Sequence, residues 1–245
     1  MAATPPKNGT RRANNGTQRA SIGRTLKWAR RRAGLTQHDL ARAVDMPQTS
    51  IARIERGTVS PRAETLVRLL SATGHQLSVE PVDEEVDRAL IRRRLVMSVP
   101  RRTSEALGRK DSTKTLRRLR RFGVPFVLIG DLAEVAHGSP TSLERPMEVC
   151  HAATDVARER IAMAMKDFDP GSLRLLTHTQ AGDGYEMLAR NAVNMHVDAG
   201  ILVKVAAIPD LILARRAGCT PEDARVAAVL RVIEDEVHAI GTIGG

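Results

Sequence analysis

The sequence predicts a two-domain chain, with an all-α domain in front, an α/β domain behind and a charged helical connector between them. Residues 34–57 place apolar side chains at helical spacing on both sides of a tight turn, which is typical of two short packed helices. Residues 123–130 form an apolar strand that ends at a glycine and is followed by a second helical pattern, which indicates an α/β unit. Only 2% of the residues are aromatic, so aliphatic side chains must pack both cores.

Charge is distributed unevenly along the 245 residues. Residues 1–82 hold 14 basic and 5 acidic side chains (+9), and residues 83–123 hold 13 and 6 (+7). Residues 124–245 hold 11 and 17 (−6), which gives the chain its overall charge of +10. Because duplex DNA is bound through clustered cations, the front half suits a DNA partner and the acidic back half would repel a phosphate backbone.

The composition also bears on compartment and cofactors. No stretch of about 18 apolar residues is present, and the first twenty residues are polar and basic, which argues against a membrane span and a signal peptide. Cys150 and Cys219 lie far apart and outside any metal-ligand spacing, so we expect buried free thiols. These features predict a cytoplasmic, nucleoid-associated protein with no membrane partner, no cofactor and no metal.

The two helices predicted within residues 34–57 each have one apolar and one polar face. Thr36 followed by Asp39 predicts a capping box at the start of the first helix. On the second helix, Ile51 and Ile54 form the apolar face, and the opposite face carries side chains that match base edges in a major groove. These predicted base-reading residues are Gln48, Thr49, Ser50 and Arg53.

This spacing resembles the XRE-type, phage-repressor helix-turn-helix family over about residues 20–80. The resemblance implies a five-helix, lambda-repressor-like domain at residues 20–82 that places helix 48–56 in the major groove of double-stranded DNA. It also implies a homodimer on a pseudo-palindromic operator, because one small module buries too little surface for tight binding. Pro47 departs from the family, which usually has a Ser or Thr N-cap there. The positions implied to contact the DNA backbone or minor groove are Gln37, Arg56, Thr58 and Arg62.

Three segments flank the predicted domains. Residues 1–19 lack apolar periodicity and predict a disordered basic tail, either an arm that reaches a DNA groove or a solubilising segment. Residues 75–81 alternate apolar and polar side chains, which predicts a short strand that pairs with a second subunit or with its own chain. Residues 83–122 predict a helical connector, interrupted at Pro100, whose arginines either contact DNA or form the solvated face of a helix packed on the next domain.

The C-terminal segment begins with the strand at 123–130, followed by a predicted helix from Asp131 to His137 that ends at Gly138. This strand–glycine–helix order resembles the minimal nucleotidyltransferase-like fold of the AbiEii and MNT type, over about residues 123–240. In that family, backbone at the glycine turn cradles nucleotide phosphates and a later Asp-x-Asp pair binds two metal ions. The later elements that fit this order are a helix at 162–168, strands at 174–177 and 201–208, and helices at 209–215 and 221–237.

The positions that would carry the family's chemistry are occupied by unsuitable residues. Asp131 follows Gly130 where the family has a second small residue, and its carboxylate would face the phosphates. Glu144 would take the first metal-binding position, and Pro146, at the second, has no ligand atom. Glu144 and Glu148 on one strand would lie about 13 Å apart, too far to share a two-metal site. The sequence therefore predicts a protein that is not an enzyme.

Three functions are consistent with these observations. The first is a transcriptional regulator whose inactive C-terminal domain serves dimerisation, ligand binding or partner binding. The second is an active nucleotidyltransferase with its own DNA-binding domain. The third is the antitoxin of a toxin–antitoxin pair, in which the acidic domain holds a toxin and the helix-turn-helix autoregulates the operon.

Overall fold

The chain divides into two compact units, one formed by Met1–Val82 with Val237–Gly245 and the other by Asp83–Glu236. The predicted basic tail at 1–19 and Glu144 lie outside the residues that the structure describes, as does the predicted strand beyond Leu77. The structure, a computed structural model, describes residues 22–77, 86–107, 112–141, 143, 145–168, 173–198 and 200–243.

The N-terminal unit is a small helical bundle. Its core is formed by side chains that are completely buried, including Leu26, Leu40, Ile51 and Leu69. Between residues 22 and 77 the structure contains four helices rather than the five that the family resemblance implied, and His75–Leu77 form no strand. These helices are α1 (22–32), α2 (Gln37–Ala43), α3 (Gln48–Glu55) and α4 (Ala63–Ala72).

Local contacts set the helix boundaries in this unit. The predicted capping box is confirmed, because the Asp39 amide donates to Thr36 Oγ1 at 3.1 Å and the Thr36 amide donates to Asp39 Oδ2 at 2.9 Å. Helix α3 follows Pro47 without a side-chain cap. Helix α1 crosses the end of α3 so closely that a Cβ at Gly23 would lie 2.4 Å from the Ile54 carbonyl oxygen, so only glycine fits there.

The described helices within residues 83–122 pack into the C-terminal unit. Ile91, Leu107, Leu116 and Leu119 are buried in the same hydrophobic cluster as the strands of the sheet. Pro100 lies in the first turn of a helix, where a missing amide proton is tolerated. The helices of this segment are α5 (Arg88–Val96), α6 (Val99–Leu107) and α7 (Ser112–Arg121).

A mixed five-stranded sheet forms the centre of the C-terminal unit, in the order β3-β2-β1-β5-β4. The central strand β1 runs antiparallel to β2 and parallel to β5, and all four of its residues are buried. The outer pairs are β2 with β3, parallel, and β5 with β4, antiparallel. The strands are β1 (Phe126–Ile129), β2 (Met147–His151), β3 (Leu173–Leu176), β4 (Val193–Asp198) and β5 (Ile201–Val205).

Five further helices complete this part of the chain. The helix predicted from Asp131 to His137 is confirmed, and it ends at Gly138 as expected. The helix predicted at 162–168 instead begins at Asp155, because the Thr154 side chain accepts the Ala157 amide at 3.2 Å and caps it. No described helix is long and apolar enough to cross a membrane. The helices are α8 (Gly130–His137), α9 (Asp155–Met165), α10 (Tyr185–Asn191), α11 (Ile208–Gly218) and α12 (Pro221–Ile243).

His137, the last residue of α8, makes the stability of the C-terminal unit depend on pH. Its Nε2 lies 2.8 Å from the Ala206 carbonyl oxygen, which can only accept, so the ring donates through Nε2. Burial, aided by the nearby charge of Arg102 and opposed by the hydrogen bond to Ala206, lowers the pKa of His137 to about 4. Because the unfolded chain has a histidine pKa near 6.5, it binds the proton first as the pH falls, and the folded state loses stability.

We expect wild-type protein to lose about 3 kcal/mol of unfolding free energy from His137 between about pH 6.5 and pH 4. Urea unfolding of the full chain at several pH values in this window measures the loss. His137→Gln keeps a side-chain amide that can donate to Ala206 but does not titrate, so its stability should fall less steeply. Equal pH slopes for the two proteins would show that His137 contributes nothing to the acid sensitivity.

Candidate nucleic-acid interface and C-terminal pocket

The outer face of α3 carries the side chains predicted to read bases. Gln48, Thr49 and Arg53 are exposed, and Ser50 is half-buried. The opposite face is buried, with Ile51 0% and Ile54 4% exposed. The structure therefore brings three of the four predicted residues together on one accessible face, with Ser50 at its margin.

Gln48 is oriented by a contact with Gln37 at the start of α2. Its Nε2 donates to Gln37 Oε1 at 2.8 Å, and Gln37 Nε2 donates to Glu55 Oε2, also at 2.8 Å. A glutamine amide has two N–H donors and a carbonyl acceptor, so this contact leaves one donor and the acceptor for the bidentate pattern of an adenine. Gln37, predicted as a phosphate contact, thus also supports Gln48, a side chain predicted to read bases.

This chain of contacts ends in a buried ion pair that the sequence analysis missed. Arg30 Nε lies 2.6 Å from Glu55 Oε1, and Arg30 Nη2 lies 2.9 Å from Glu55 Oε2. Arg30 Nη1 also donates to the Leu35 carbonyl oxygen at 2.7 Å. Both charged residues are 8% exposed, so the bidentate pair joins α1 to α3 inside the bundle. The sequence contained one indication of this pair, because Glu55 directly follows Ile54, a residue on the apolar face of the predicted helix.

Three residues predicted to contact the DNA backbone lie after α3. Arg56, Thr58 and Arg62 are exposed along the segment that joins α3 to α4. Arg56 Nε donates to the Ala52 carbonyl oxygen at 3.1 Å, which directs its side chain back along α3. Arg62 is the N-cap residue of α4 and has no side-chain capping bond. All three are accessible to a phosphate backbone.

A second candidate site lies in the C-terminal unit, where β1 ends and α8 begins. It is a cavity of about 190 Å³ that combines acidic and basic side chains from the sheet and the surrounding helices. Convergent charged groups in a cavity of this kind can orient a polar ligand. Its charged lining residues are Glu134, Arg145, Glu148, Arg174, Asp210 and Arg215.

Glu148 occupies the space in front of the glycine turn. Gly130 has a φ of +67°, and a Cβ at this position would lie 2.6 Å from Glu148 Oε2. Arg174 Nη1 donates to Glu148 Oε1 at 2.9 Å, which pairs the carboxylate with a cation. Strand β2 begins only at Met147, so Pro146 precedes the strand. Glu144, the other carboxylate of the expected pair, lies outside the described residues.

From the sequence, the Asp131 carboxylate is expected to face bound phosphates. In the structure Asp131 is buried against Arg215. Arg215 Nη2 lies 2.5 Å from Asp131 Oδ1, and Arg215 Nε lies 2.6 Å from Glu134 Oε1. Arg215 Nη1 also donates to Asp223 Oδ1 at 3.1 Å. One guanidinium thus joins carboxylates from α8 and α12, and the arrangement is called the Arg215 cluster below. A second cation, Arg145 Nη2, lies 3.5 Å from Asp223 Oδ1.

In the Arg215 cluster, burial disfavours the charged form of each side chain, and the ion pairs between the side chains favour it. Burial raises the pKa of Glu134, and the bonds from Arg215 partly offset this effect. Burial opposes the charge of Arg215, but its bonds to the three carboxylates outweigh burial and raise the pKa of the guanidinium. Burial also raises the pKa of Asp223, but bonds from Thr220 and Arg215 outweigh it, so the net pKa is lowered.

Glu134, Arg215 and Asp223 were not predicted from the sequence as members of a site. A signal was present, because Asp131 and Glu134 lie one turn apart in an otherwise apolar helix, and two buried carboxylates require a cation. Nothing local identified that cation as Arg215. Within the described residues, no group of three or more His, Cys, Asp or Glu side chains is arranged to hold a metal ion.

Comparison with known proteins matches the N-terminal unit to a family. Residues 21–83 match the sequence model of the helix-turn-helix domain. A curated relative, an uncharacterized helix-turn-helix-type transcriptional regulator of Haemophilus influenzae, is 36% identical over 64 residues, which are 26% of this chain. The chain spans 65% of the length of that relative. No solved structure matches the chain.

The protein therefore carries a helix-turn-helix domain. The family match ends at residue 83, so the mixed α/β unit and its five-stranded sheet lie beyond it.

Proposed function

We propose that this chain is a sequence-specific regulator of transcription, of the XRE type, that binds double-stranded DNA with α3 in the major groove. The observation that carries the proposal is the accessible row of Gln48, Thr49 and Arg53 on a helix whose other face is buried. The match of residues 21–83 to the helix-turn-helix domain and the name of the Haemophilus relative support it.

Each polar side chain on this face has a chemical counterpart in the groove. A guanidinium such as that of Arg53 donates two hydrogen bonds to guanine O6 and N7, and a glutamine such as Gln48 pairs with adenine. The methyl group of Thr49 suits the thymine methyl. Gln37, Arg56, Thr58 and Arg62 would contact phosphates and set the register of the helix without reading sequence.

We further propose a homodimer on a pseudo-palindromic operator. A single small module buries too little surface for tight binding at cellular salt, and two copies related by twofold symmetry double the contacts. The half-sites should then lie about 34–36 Å apart, one turn of the duplex. Selection of bound sequences from a random duplex pool would reveal this symmetry directly.

For the C-terminal unit we propose a nucleotidyltransferase-like fold that lacks transferase activity and serves dimerisation or the binding of a ligand or protein partner, such as a toxin. The order β1, Gly130, α8, β2 supports the fold. The pairing of Glu148 with Arg174 and of Asp131 with Arg215 supports the lack of activity, because these carboxylates are already neutralised by cations. Magnesium-dependent transfer of a labelled nucleotide to RNA or to the protein, abolished by Glu144→Ala, would overturn this part.

Substitution of the base-reading arginine tests the DNA-binding proposal. We expect Arg53→Ala to cost about 1–3 kcal/mol of binding free energy and to relax the preference at one base pair in each half-site. The reason is that the two guanidinium hydrogen bonds to guanine have no counterpart on another base. Binding of the selected duplex and its single-base variants, measured at one stated salt concentration, gives both values.

Arg68→Ala is the matched control, since Arg68 is an exposed arginine of the same unit that lies on α4. It removes the same charge and should leave the base preference unchanged. If Arg53→Ala weakened every duplex equally, the base-reading role of Arg53 would be wrong. If the wild-type protein did not distinguish the selected duplex from a scrambled one, the proposed function itself would be wrong.

A further inference from the structure

The C-terminal unit carries a basic surface of its own on the outer side of α7. Leu116 and Leu119 are completely buried on the inner side of this helix. The outer side presents Arg117, Arg120 and Arg121, all exposed, and these three residues are called the α7 basic surface below. Together with Gly200 and Ile201 at the start of β5, they line an open hollow of about 340 Å³.

The neighbouring strand holds this surface in place. Arg120 Nη1 donates to the Leu202 carbonyl oxygen at 2.6 Å, which ties the helix to β5. This bond fixes the position of Arg120 within the α7 basic surface.

We propose that the α7 basic surface binds the phosphate backbone of duplex DNA beside the operator, an inference that rests on the proposed function. Arg117 and Arg121 are four residues apart, about 6 Å along the helix axis, so each can reach a different phosphate. Contacts of this kind add affinity and orientation without sequence information. They also supply contact area that a single helix-turn-helix module lacks.

The composition of the surface favours DNA over a protein partner. Protein interfaces depend on large apolar or aromatic anchors in desolvated pockets. Of the residues that line the hollow, Ile201 is the large apolar one, and it is only 2% exposed. Interfaces with DNA are polar and strongly positive, which matches clustered guanidinium groups around an open hollow.

The salt dependence of DNA binding by the full chain tests this inference. The double variant Arg117→Gln/Arg121→Gln should lower the slope of log association constant against log KCl concentration by about 1.8, because each lost phosphate contact contributes about 0.9. Raising KCl from about 50 to about 200 mM should then cost the variant about 12-fold less affinity than it costs the wild type. Backbone footprinting should show lost protection beside the operator, with the base preference unchanged.

The control is Arg158→Gln/Arg225→Gln, which removes the same charge from exposed positions on α9 and α12. Both control arginines pair with acids of their own helices, Asp155 and Glu222. The control should keep the wild-type slope. Thermal unfolding should be unchanged in both double variants, because all four side chains are exposed.

The outcomes separate this inference from the proposed function. If both double variants keep the wild-type slope and the preference for the selected duplex, the α7 contact is wrong and the regulator proposal stands. If selection yields no preferred duplex, the proposed function and its operator are wrong, and a lower slope for the α7 variant alone would show that the α7 basic surface still contacts the phosphate backbone of DNA. The inference would also be overturned if Arg117→Gln/Arg121→Gln kept the wild-type salt slope but no longer bound an acidic protein that the wild type binds.

Discussion

Arg215→Met is expected to lower the free energy of unfolding by about 3–5 kcal/mol, because it leaves buried carboxylates without their cation. Asp131 and Glu134 are 6% and 1% exposed, and Arg215 is the cation that both of them contact. Methionine keeps most of the side-chain volume, so the loss reflects charge rather than a cavity. Since folded domains are stable by only about 5–15 kcal/mol, this loss is a large fraction of the stability of the C-terminal unit.

Arg216→Met is the matched control, because Arg216 is the next residue of α11 and is exposed. Surface substitutions of this kind usually change stability by less than about 0.5 kcal/mol. Urea unfolding of the two variants, followed by circular dichroism, measures the difference. Similar unfolding free energies for Arg215→Met and Arg216→Met would show that the Arg215 cluster does not stabilise the fold.

The same pair of variants has a pH signature. Without Arg215, burial and the charge of Asp131 are opposed only by Arg145, so the pKa of Glu134 rises further above the unfolded value. A carboxyl with a raised folded pKa stabilises the native state at low pH and loses that contribution as the pH rises through the folded pKa. The difference in unfolding free energy between Arg215→Met and Arg216→Met should therefore become smaller as the pH falls from 7 towards 5. Both proteins keep His137, so its contribution cancels in the comparison.

Glu55→Ala is expected to destabilise the N-terminal unit by about 3–5 kcal/mol, because it leaves the Arg30 guanidinium buried without a counter-charge. The side chain of Glu55 is 3% exposed and also accepts a hydrogen bond from Gln37, so two partners lose their acceptor. Glu64→Ala removes an exposed acid from α4 in the same unit and should change little. Equal stabilities of these two variants would contradict the predicted role of the pair.

A double substitution distinguishes the contribution of the Arg30–Glu55 pair to stability from its role in orienting Gln37 and Gln48. Arg30→Met/Glu55→Leu replaces both charges with apolar side chains of similar size, which is often neutral or stabilising. It should recover the stability lost in Glu55→Ala, yet Gln37 would still lack the carboxylate that orients it. If Gln37 positions Gln48, the recovered protein should show a weaker preference at the base pair that Gln48 reads. An unchanged preference would show that the contact is structural only.

The features that the sequence predicted correctly are those set by neighbouring residues. The capping box at Thr36 depends on a residue three positions away, and the burial of Ile51 and Ile54 follows from helical periodicity. The strand before Gly130 and the helix that ends at Gly138 follow from an apolar run and two glycines with positive φ. Helix caps, helix faces and helix ends depend on the types and spacing of a few neighbouring residues, and the sequence gives both.

The tertiary structure alone decided which charges meet. Asp131 and Arg215 are 84 residues apart, and Arg30 and Glu55 are 25 apart, so no spacing rule links them. The fold brought them together because a charge buried by packing must be paired in a medium of low dielectric constant. The same packing drew the helices of residues 83–122 into the core of the sheet, since their apolar faces are buried only there. Helical periodicity thus determined which face of α3 is exposed. Long-range packing determined which residues hold α3 in place and which charged side chains line the C-terminal cavity.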